Sequence, residues 1–167
     1  KREIHIKVLL VGPRQSGKTT SMRTIYRTTS GEVKFGLMDF SGTIKPTTTF
    51  DFLPISIGQV AGYSIRLHLY SFNPHSPFAG MKEMLISGSD GIIYVLDSSW
   101  DAIENNHASI TKLAEITELS GRRTSDLVEV FQYNKRDLSN AIPLDVMQKV
   151  YNPDRLRSPT SYAKSHG

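Results

Sequence analysis

The sequence predicts an α/β fold with a mostly parallel central sheet. Short apolar segments alternate with amphipathic helical segments along most of the 167 residues, which is the pattern that βαβ units produce. Residues 91–96 read Gly-Ile-Ile-Tyr-Val-Leu, and a continuously apolar strand of this kind is typical of a parallel sheet covered on both faces. Two alternating segments joined by a glycine-containing turn add one antiparallel hairpin at the edge of the sheet.

The first predicted strand covers residues 4–11 and ends at a glycine. A helix is expected from about Lys18. Three side chains should form its inner face: Met22, Ile25 and Tyr26. Residues 30–49 are rich in Gly, Ser, Thr and Lys, which indicates a loop, and a long loop inside a compact domain is usually functional.

The hairpin strands are predicted at residues 49–57 and 63–70, with the turn at 58–62 and a loop at 71–77. The remaining predicted elements follow in chain order: a helix at 78–87, a strand at 91–96, a helix at 101–119, a strand at 128–133 and a short helix at 143–150 that Pro143 opens.

Composition narrows the class of protein. The chain is 38% hydrophobic and 22% charged, has a formal net charge of +4 and contains no cysteine. The missing cysteine excludes a disulfide framework and a thiolate zinc site, and fits a reducing cytoplasm. No apolar run approaches the roughly 20 residues of a membrane span, and no basic cluster interleaved with aromatic residues indicates nucleic-acid binding. Residues 1–167 are expected to form one domain.

A phosphate-binding loop is predicted directly after the first strand. The pattern G-x-x-x-x-G-K-[ST] is filled by Gly12, Gly17, Lys18 and Thr19. Its glycines let backbone N–H groups face a phosphate, the lysine reaches the β- and γ-phosphates, and the threonine hydroxyl is a magnesium ligand. The whole run is expected to line the phosphates: Gly12, Arg14, Gln15, Ser16, Gly17, Lys18, Thr19 and Thr20.

A second motif favours guanine over adenine. Asn134-Lys135-Arg136-Asp137 follows the strand at 128–133. In an N-K-x-D arrangement the carboxylate accepts from two N–H groups that guanine has and adenine lacks. The asparagine amide reads the Hoogsteen edge, and the lysine stem covers the face of the base.

With these motifs the sequence resembles the Ras-like small GTPases, and within them the bacterial gliding-motility and cell-polarity GTPases of the MglA family. The resemblance covers essentially the whole chain. Four segments carry it: Gly12-Pro13 with Gly17-Lys18-Thr19-Thr20, Phe50-Asp51-Phe52-Leu53-Pro54, Leu67-His68-Leu69-Tyr70, and Gln132-Tyr133-Asn134-Lys135-Arg136-Asp137-Leu138.

The resemblance implies a P-loop GTPase fold that binds GTP or GDP with Mg²⁺ in the cytoplasm, with recruitment to a cell pole and a roadblock-type dimer as a GTPase-activating partner. It implies that Thr47 is the switch I ligand of magnesium and the γ-phosphate, with Thr48 and Thr49 as alternatives. Ser161-Tyr162-Ala163-Lys164 resembles the short loop whose backbone contacts the guanine oxygen, with Ala163 and Lys164 as the contacting residues. The family's last helix is expected to be missing from this chain, and both ends to be truncated.

Three positions depart from the family pattern for hydrolysis, which needs a held water and positive charge on the phosphoryl group. Arg14 replaces a small glycine, and it either obstructs the water or stabilises charge. Pro74 and His75 replace a glycine and a glutamine in switch II, so one backbone N–H is lost and a histidine is the candidate to hold the water. Pro46 replaces an arginine before the switch I threonine.

No aspartate follows the second hairpin strand, where many GTPases hold magnesium through water, because Ser71 stands there. Asp97 follows the apolar strand, and it is interpreted as capping the loop into the next helix in preference to binding magnesium.

Three function classes remain. The sequence favours a GTP-binding switch with slow intrinsic hydrolysis, ahead of a nucleotide-holding pseudo-GTPase that acts as a scaffold. A P-loop kinase that uses Asp97 as its magnesium acid is the third class.

Overall fold

The computed structural model describes residues 2–29, 38–39, 51–76, 79–153 and 160–162. Its strands are β1 (Glu3–Val11), β2 (Met38–Asp39), β3 (Asp51–Val60), β4 (Tyr63–Phe72), β5 (Gly91–Asp97), β6 (Val128–Asn134) and β7 (Thr160–Tyr162). Its helices are α1 (Lys18–Thr28), α2 (Ala79–Ile86), α3 (Ile103–Leu119) and α4 (Leu144–Tyr151).

Within the described residues the strands form one seven-stranded sheet in the order β2-β3-β4-β1-β5-β6-β7. The pairs from β4 to β7 are parallel, whereas β2 with β3 and β3 with β4 are antiparallel. The predicted α/β class, with a mostly parallel sheet and an antiparallel edge, is confirmed. The chain order reverses at β1, which lies between β4 and β5, and ligands of open α/β sheets bind at the carboxyl ends of strands beside such a reversal.

Alternating side chains of β1 feed two apolar cores on opposite faces of the sheet. Leu9 and Val11 pack into a core that α2, α3 and α4 cover. Leu10 packs on the other face, against α1. All three side chains are buried, so the strand is fixed on both faces and its carboxyl end is held rigidly where the phosphate loop begins.

The helix after the phosphate loop agrees with its prediction. It begins at Lys18, Met22 is fully buried, and Ile25 and Tyr26 pack against the same core. Because the inner face of α1 packs against the sheet, the helix holds the adjoining phosphate loop in one position.

The hairpin turn is tighter than predicted. Ala61 and Gly62 alone connect the strands, with φ of 51° and 80°, and two left-handed residues match the twist of a hairpin. The prediction of a turn at 58–62 was therefore too long. The predicted loop at 71–77 was also wrong at its start, because Ser71 and Phe72 belong to β4 and pair with the end of β1.

Two short strands were missed. Met38–Asp39 lies in a segment predicted as loop, and Thr160–Tyr162 includes Ser161 and Tyr162, which were expected in a loop at the guanine. The helix predicted from residue 101 begins as a 3-10 turn, Trp100–Ala102, and continues as α3. Pro143 precedes α4, as predicted. Among the described residues no helix has the length and apolar character needed to cross a membrane.

Two leucines of α3 provide a matched test of this packing. Leu113 is fully buried, whereas Leu119 is 84% exposed. Leu113→Ala should lower the free energy of unfolding by about 2–5 kcal/mol because it leaves a cavity, and Leu119→Ala should change it by less than about 0.5 kcal/mol. Urea denaturation followed by circular dichroism measures both. Equal effects would contradict the placement of α3 on the sheet.

Candidate nucleotide-binding site

The phosphate loop connects β1 to α1 at the point where the strand order reverses. Both of its glycines lie so close to neighbouring strands that a side chain would not fit. A Cβ atom at Gly12 would collide with the backbone oxygen of Val95, and one at Gly17 would collide with Nδ2 of Asn134. Both glycines of the motif therefore let the loop lie directly against the ends of β5 and β6.

Two residues of the loop adopt backbone conformations that are typical of anion-binding loops. Gln15 and Gly17 adopt left-handed conformations, with φ of 60° and 102°. Left-handed residues within a loop are the conformations from which concave rows of N–H groups are built. The amino-terminal end of α1 follows at Lys18 and adds its partial positive charge.

Lys18 lies over this loop. Its Nζ donates to the carbonyl oxygens of Gly12 and Pro13 at 2.9 and 2.6 Å. Burial lowers the pKa of Lys18 to about 8, the nearby Asp51 carboxylate acts in the opposite direction, and the positive charge of Arg14 lowers the pKa further. The positive charges of Lys18 and Arg14 therefore repel each other at the loop. The negative charges of a bound polyphosphate would offset this repulsion.

A buried carboxylate accompanies the loop threonine. The Thr19 hydroxyl donates to Oδ2 of Asp51 at 2.6 Å, and the Ser71 hydroxyl donates to the same oxygen at 2.8 Å. Asp51 is only 7% exposed. Asp51 and Ser71 are partners in the β3–β4 ladder. The Asp51 carboxylate therefore lies beside Ser71, the position at which many GTPases have an aspartate.

Asp51 was not predicted from the sequence as a site residue. One feature of the sequence could have indicated that Asp51 is buried: it alternates with Leu53 and Ile55, which are buried side chains of the same strand. A carboxylate on the buried face of a strand requires partners. Without the register of the hairpin, however, Thr19 and Ser71 were not recognisable as those partners.

The oxygen donors at this position fit a hard divalent cation. Mg²⁺ at a nucleotide is held by one or two protein oxygens together with phosphates and waters, and the Thr19 hydroxyl and Asp51 carboxylate are such a set. Over the described parts of the chain no group of three or more His, Cys, Asp or Glu side chains could hold a metal ion, and a nucleotide-bound Mg²⁺ does not need one. Thr47, the predicted further ligand, lies outside the described residues.

The guanine motif contacts the phosphate loop. Asn134 ends β6, is 5% exposed and donates from Nδ2 to the backbone oxygen of Ser16 at 2.7 Å. Lys135 follows with a left-handed φ of 59°, and Asp137 is exposed to solvent. The structure thus brings the two sequence motifs together, whereas Ala163 and Lys164 lie outside the described residues.

Asp97 caps the turn that follows β5, as predicted. Its Oδ1 accepts from the backbone N–H of Ser99 at 3.0 Å. Its other carboxylate oxygen forms an ion pair with Nζ of Lys135 at 2.6 Å, a contact that the sequence analysis did not anticipate.

The predicted switch II turn uses its own polar groups. Oδ1 of Asn73 accepts from the backbone N–H of His75 at 3.0 Å, and the backbone oxygen of Asn73 accepts from Ser76 at 2.9 Å. Pro74 has no N–H and is buried, and the side chain of His75 is exposed. The exposed imidazole is accessible to water, and its predicted catalytic role stays a prediction.

A phosphate loop at the reversal of the sheet, joined to an Asn-Lys-x-Asp motif at the end of β6, defines a guanine-nucleotide-binding protein of the P-loop class. The chain is 36% identical over 151 residues to the mutual gliding-motility protein MglA of Myxococcus xanthus, an alignment that covers 90% of this chain and 77% of that relative. No family model matches the chain. The chain belongs to the MglA family of small GTPases, as its sequence motifs implied.

The contact of Gly17 with Asn134 gives a direct test. Gly17→Ala should weaken GDP binding by about 100-fold, or about 2.7 kcal/mol, because the new methyl group would displace the Asn134 amide. Gly121→Ala is the matched control, since Gly121 is also left-handed, with φ of 73°, but has nothing within 4 Å of an added Cβ. Titration with fluorescent GDP measures both variants. Similar affinities for the two would contradict the proposed geometry.

Proposed function

We propose that this protein is a GTP-binding molecular switch of the bacterial MglA type that controls cell-polarity or motility machinery and hydrolyses GTP slowly when alone. One observation carries the proposal: Asn134 joins the guanine motif to the phosphate loop through Ser16. A single ligand with a base at one end and phosphates at the other suits both motifs. Membership of the MglA family supports the same ligand.

Magnesium binding is part of the proposal. Thr19 and Asp51 would hold Mg²⁺, with Thr47 as a further ligand, and the ion would neutralise phosphate charge. Asp51 then takes the role that other GTPases give to an acid at the position of Ser71. The Ser71 hydroxyl orients the carboxylate by donating to it.

Slow intrinsic hydrolysis follows from the residues available for chemistry. Lys18 and Arg14 supply positive charge at the phosphates, consistent with the effect of Arg14 on the pKa of Lys18. The exposed imidazole of His75 is the group proposed to hold the attacking water, and a neutral imidazole has one donor and one acceptor. Pro74 contributes no N–H to the γ-phosphate, and Pro46 cannot replace an arginine.

Partners and location are proposed from the family. A roadblock-type dimer would complete the active site, since a group supplied in trans is worth roughly 10³–10⁵ in rate. The GTP form would recruit effectors, and the protein would act in the cytoplasm with recruitment to a cell pole.

A nucleotide-holding scaffold is the alternative. The turn at residues 73–76 favours it, because Asn73 occupies the N–H of His75 and Pro74 has none. A switch II turn satisfied by its own groups has less reason to respond to a γ-phosphate.

The nucleotide that copurifies with the protein should be GDP or GTP, because the guanine motif and the phosphate loop are both intact. Multiple-turnover assays should give well below about one turnover per second, since the favourable transition-state contacts are incomplete. Lys18→Ala is the matched control and should lose the bound nucleotide. Copurified ATP would contradict guanine recognition, and several turnovers per second without a partner would contradict slow hydrolysis. Stimulation by a roadblock dimer distinguishes the switch from the scaffold.

Asp51→Asn should reduce the dependence of GDP retention on magnesium. In the unsubstituted protein, chelation of Mg²⁺ should accelerate GDP release, and the variant should reduce that acceleration by about tenfold because a charged ligand becomes neutral. Stopped-flow release of fluorescent GDP with and without a chelator measures this. Asp90→Asn is the control, since Asp90 is also a hydrogen-bonded carboxylate, accepting from the backbone N–H of Lys7 at 2.8 Å, and it directly precedes the amino-terminal end of β5. A full magnesium response in Asp51→Asn would rule out the proposed role of Asp51.

A further inference from the structure

The ion pair between Asp97 and Lys135 links the ends of two neighbouring strands. Asp97 Oδ2 lies 2.6 Å from Lys135 Nζ, and the two side chains are 14% and 24% exposed. Asp97 pairs with Asn134 in the β5–β6 ladder, so the carboxylate lies beside the residue that precedes the lysine. A charge-assisted contact of this length in a largely buried position is among the stronger side-chain interactions.

The carboxylate of Asp97 is itself held in one orientation. Asn106, a fully buried residue of α3, donates from Nδ2 to the backbone oxygen of Asp97 at 2.8 Å and accepts from its backbone N–H at 3.2 Å. The N–H of Ser99 binds Oδ1 at 3.0 Å. With the backbone and one carboxylate oxygen engaged, Oδ2 is left directed at Lys135.

Lys135 needs such a partner. Its left-handed φ of 59° is unfavourable for a residue with a Cβ and persists only when the surroundings impose it. Its long stem is flexible when the ammonium group is unattached. Covering one face of a base requires that the stem be held in a single conformation, and the contact with Asp97 anchors its far end.

We propose that Asp97 is a positioning residue for guanine-nucleotide binding, holding Lys135 where its stem covers the base. The inference deepens the proposed function and rests on it. Asp97 acts through Lys135, with Asn106 fixing Asp97 from α3, so the binding of the base depends on a helix that does not itself carry the guanine motif.

A double-mutant cycle tests the inference. Asp97→Asn keeps an oxygen that can accept from Ser99 but removes the charge opposite Lys135. Lys135→Met keeps an apolar stem of similar length without the ammonium group. The measured quantity is the release rate of fluorescent GDP in stopped flow, together with the melting temperature of each nucleotide-free protein.

Asp97→Asn should accelerate GDP release by about tenfold, the scale of one charge-assisted hydrogen bond. In the Lys135→Met background the same substitution should change release by less than about twofold, because the partner is already absent. Asp126→Asn is the matched control. Asp126 resembles Asp97 in that its carboxylate both caps a 3-10 turn and forms an ion pair, in this case with Arg123. The pair of Asp126 with Arg123 is exposed, however, so the control variant should release GDP at the unsubstituted rate.

Equal acceleration in both backgrounds would show that Asp97 acts only as a cap, and this would overturn the inference. Release within twofold of the unsubstituted rate in Asp97→Asn would overturn it as well. Should Asp97→Asn fail to fold, Asp97→Ser retains a cap oxygen without charge and is measured in the same cycle. GDP binding by the unsubstituted protein combined with either negative result leaves the proposed function standing, whereas no GDP binding at all overturns both.

Discussion

The hydrogen bond from Asn134 to the backbone oxygen of Ser16 is the constraint on which the site depends. It joins the loop after β1 to the end of β6, across the intervening end of β5. Gly17 makes it possible, because any side chain there would occupy the place of the Asn134 amide. The distance between the phosphate loop and the guanine motif is therefore set by a contact inside the protein. Loss of this contact would leave a buried polar group unsatisfied, which costs about 1–3 kcal/mol.

Around this contact the sheet assembles charges from distant parts of the chain. The cations come from the phosphate loop and α1, and the buried carboxylate of Asp51 comes from the antiparallel hairpin. Strong Coulombic interactions in a partly dry site require that such groups be placed accurately. The two apolar cores on either face of β1 provide this accuracy by fixing the strand from both sides. Asp97 and Asn106 extend the same arrangement from the end of β5 to α3.

Motifs that are local in sequence were predictable, because their chemistry depends on spacing along the chain. The phosphate loop, the start of α1 and the position of Asn134 at the end of β6 all follow from such patterns. Asp51 was not predictable as a site residue, because its role depends on an antiparallel register that pairs it with Ser71. The ion pair of Asp97 with Lys135 likewise depends on the parallel register of β5 and β6. The strands Met38–Asp39 and Thr160–Tyr162 were missed because two or three residues are too few for a recognisable alternation.

In the proposed function one ligand, a guanine nucleotide, engages both motifs at once. Competition titration of the nucleotide-free protein with GDP and ADP in the presence of Mg²⁺ tests this most directly. A site whose polar groups are matched to guanine should prefer GDP by at least about 100-fold. Equal affinities for GDP and ADP would contradict the account, because they would show that the phosphate loop binds without the base motif.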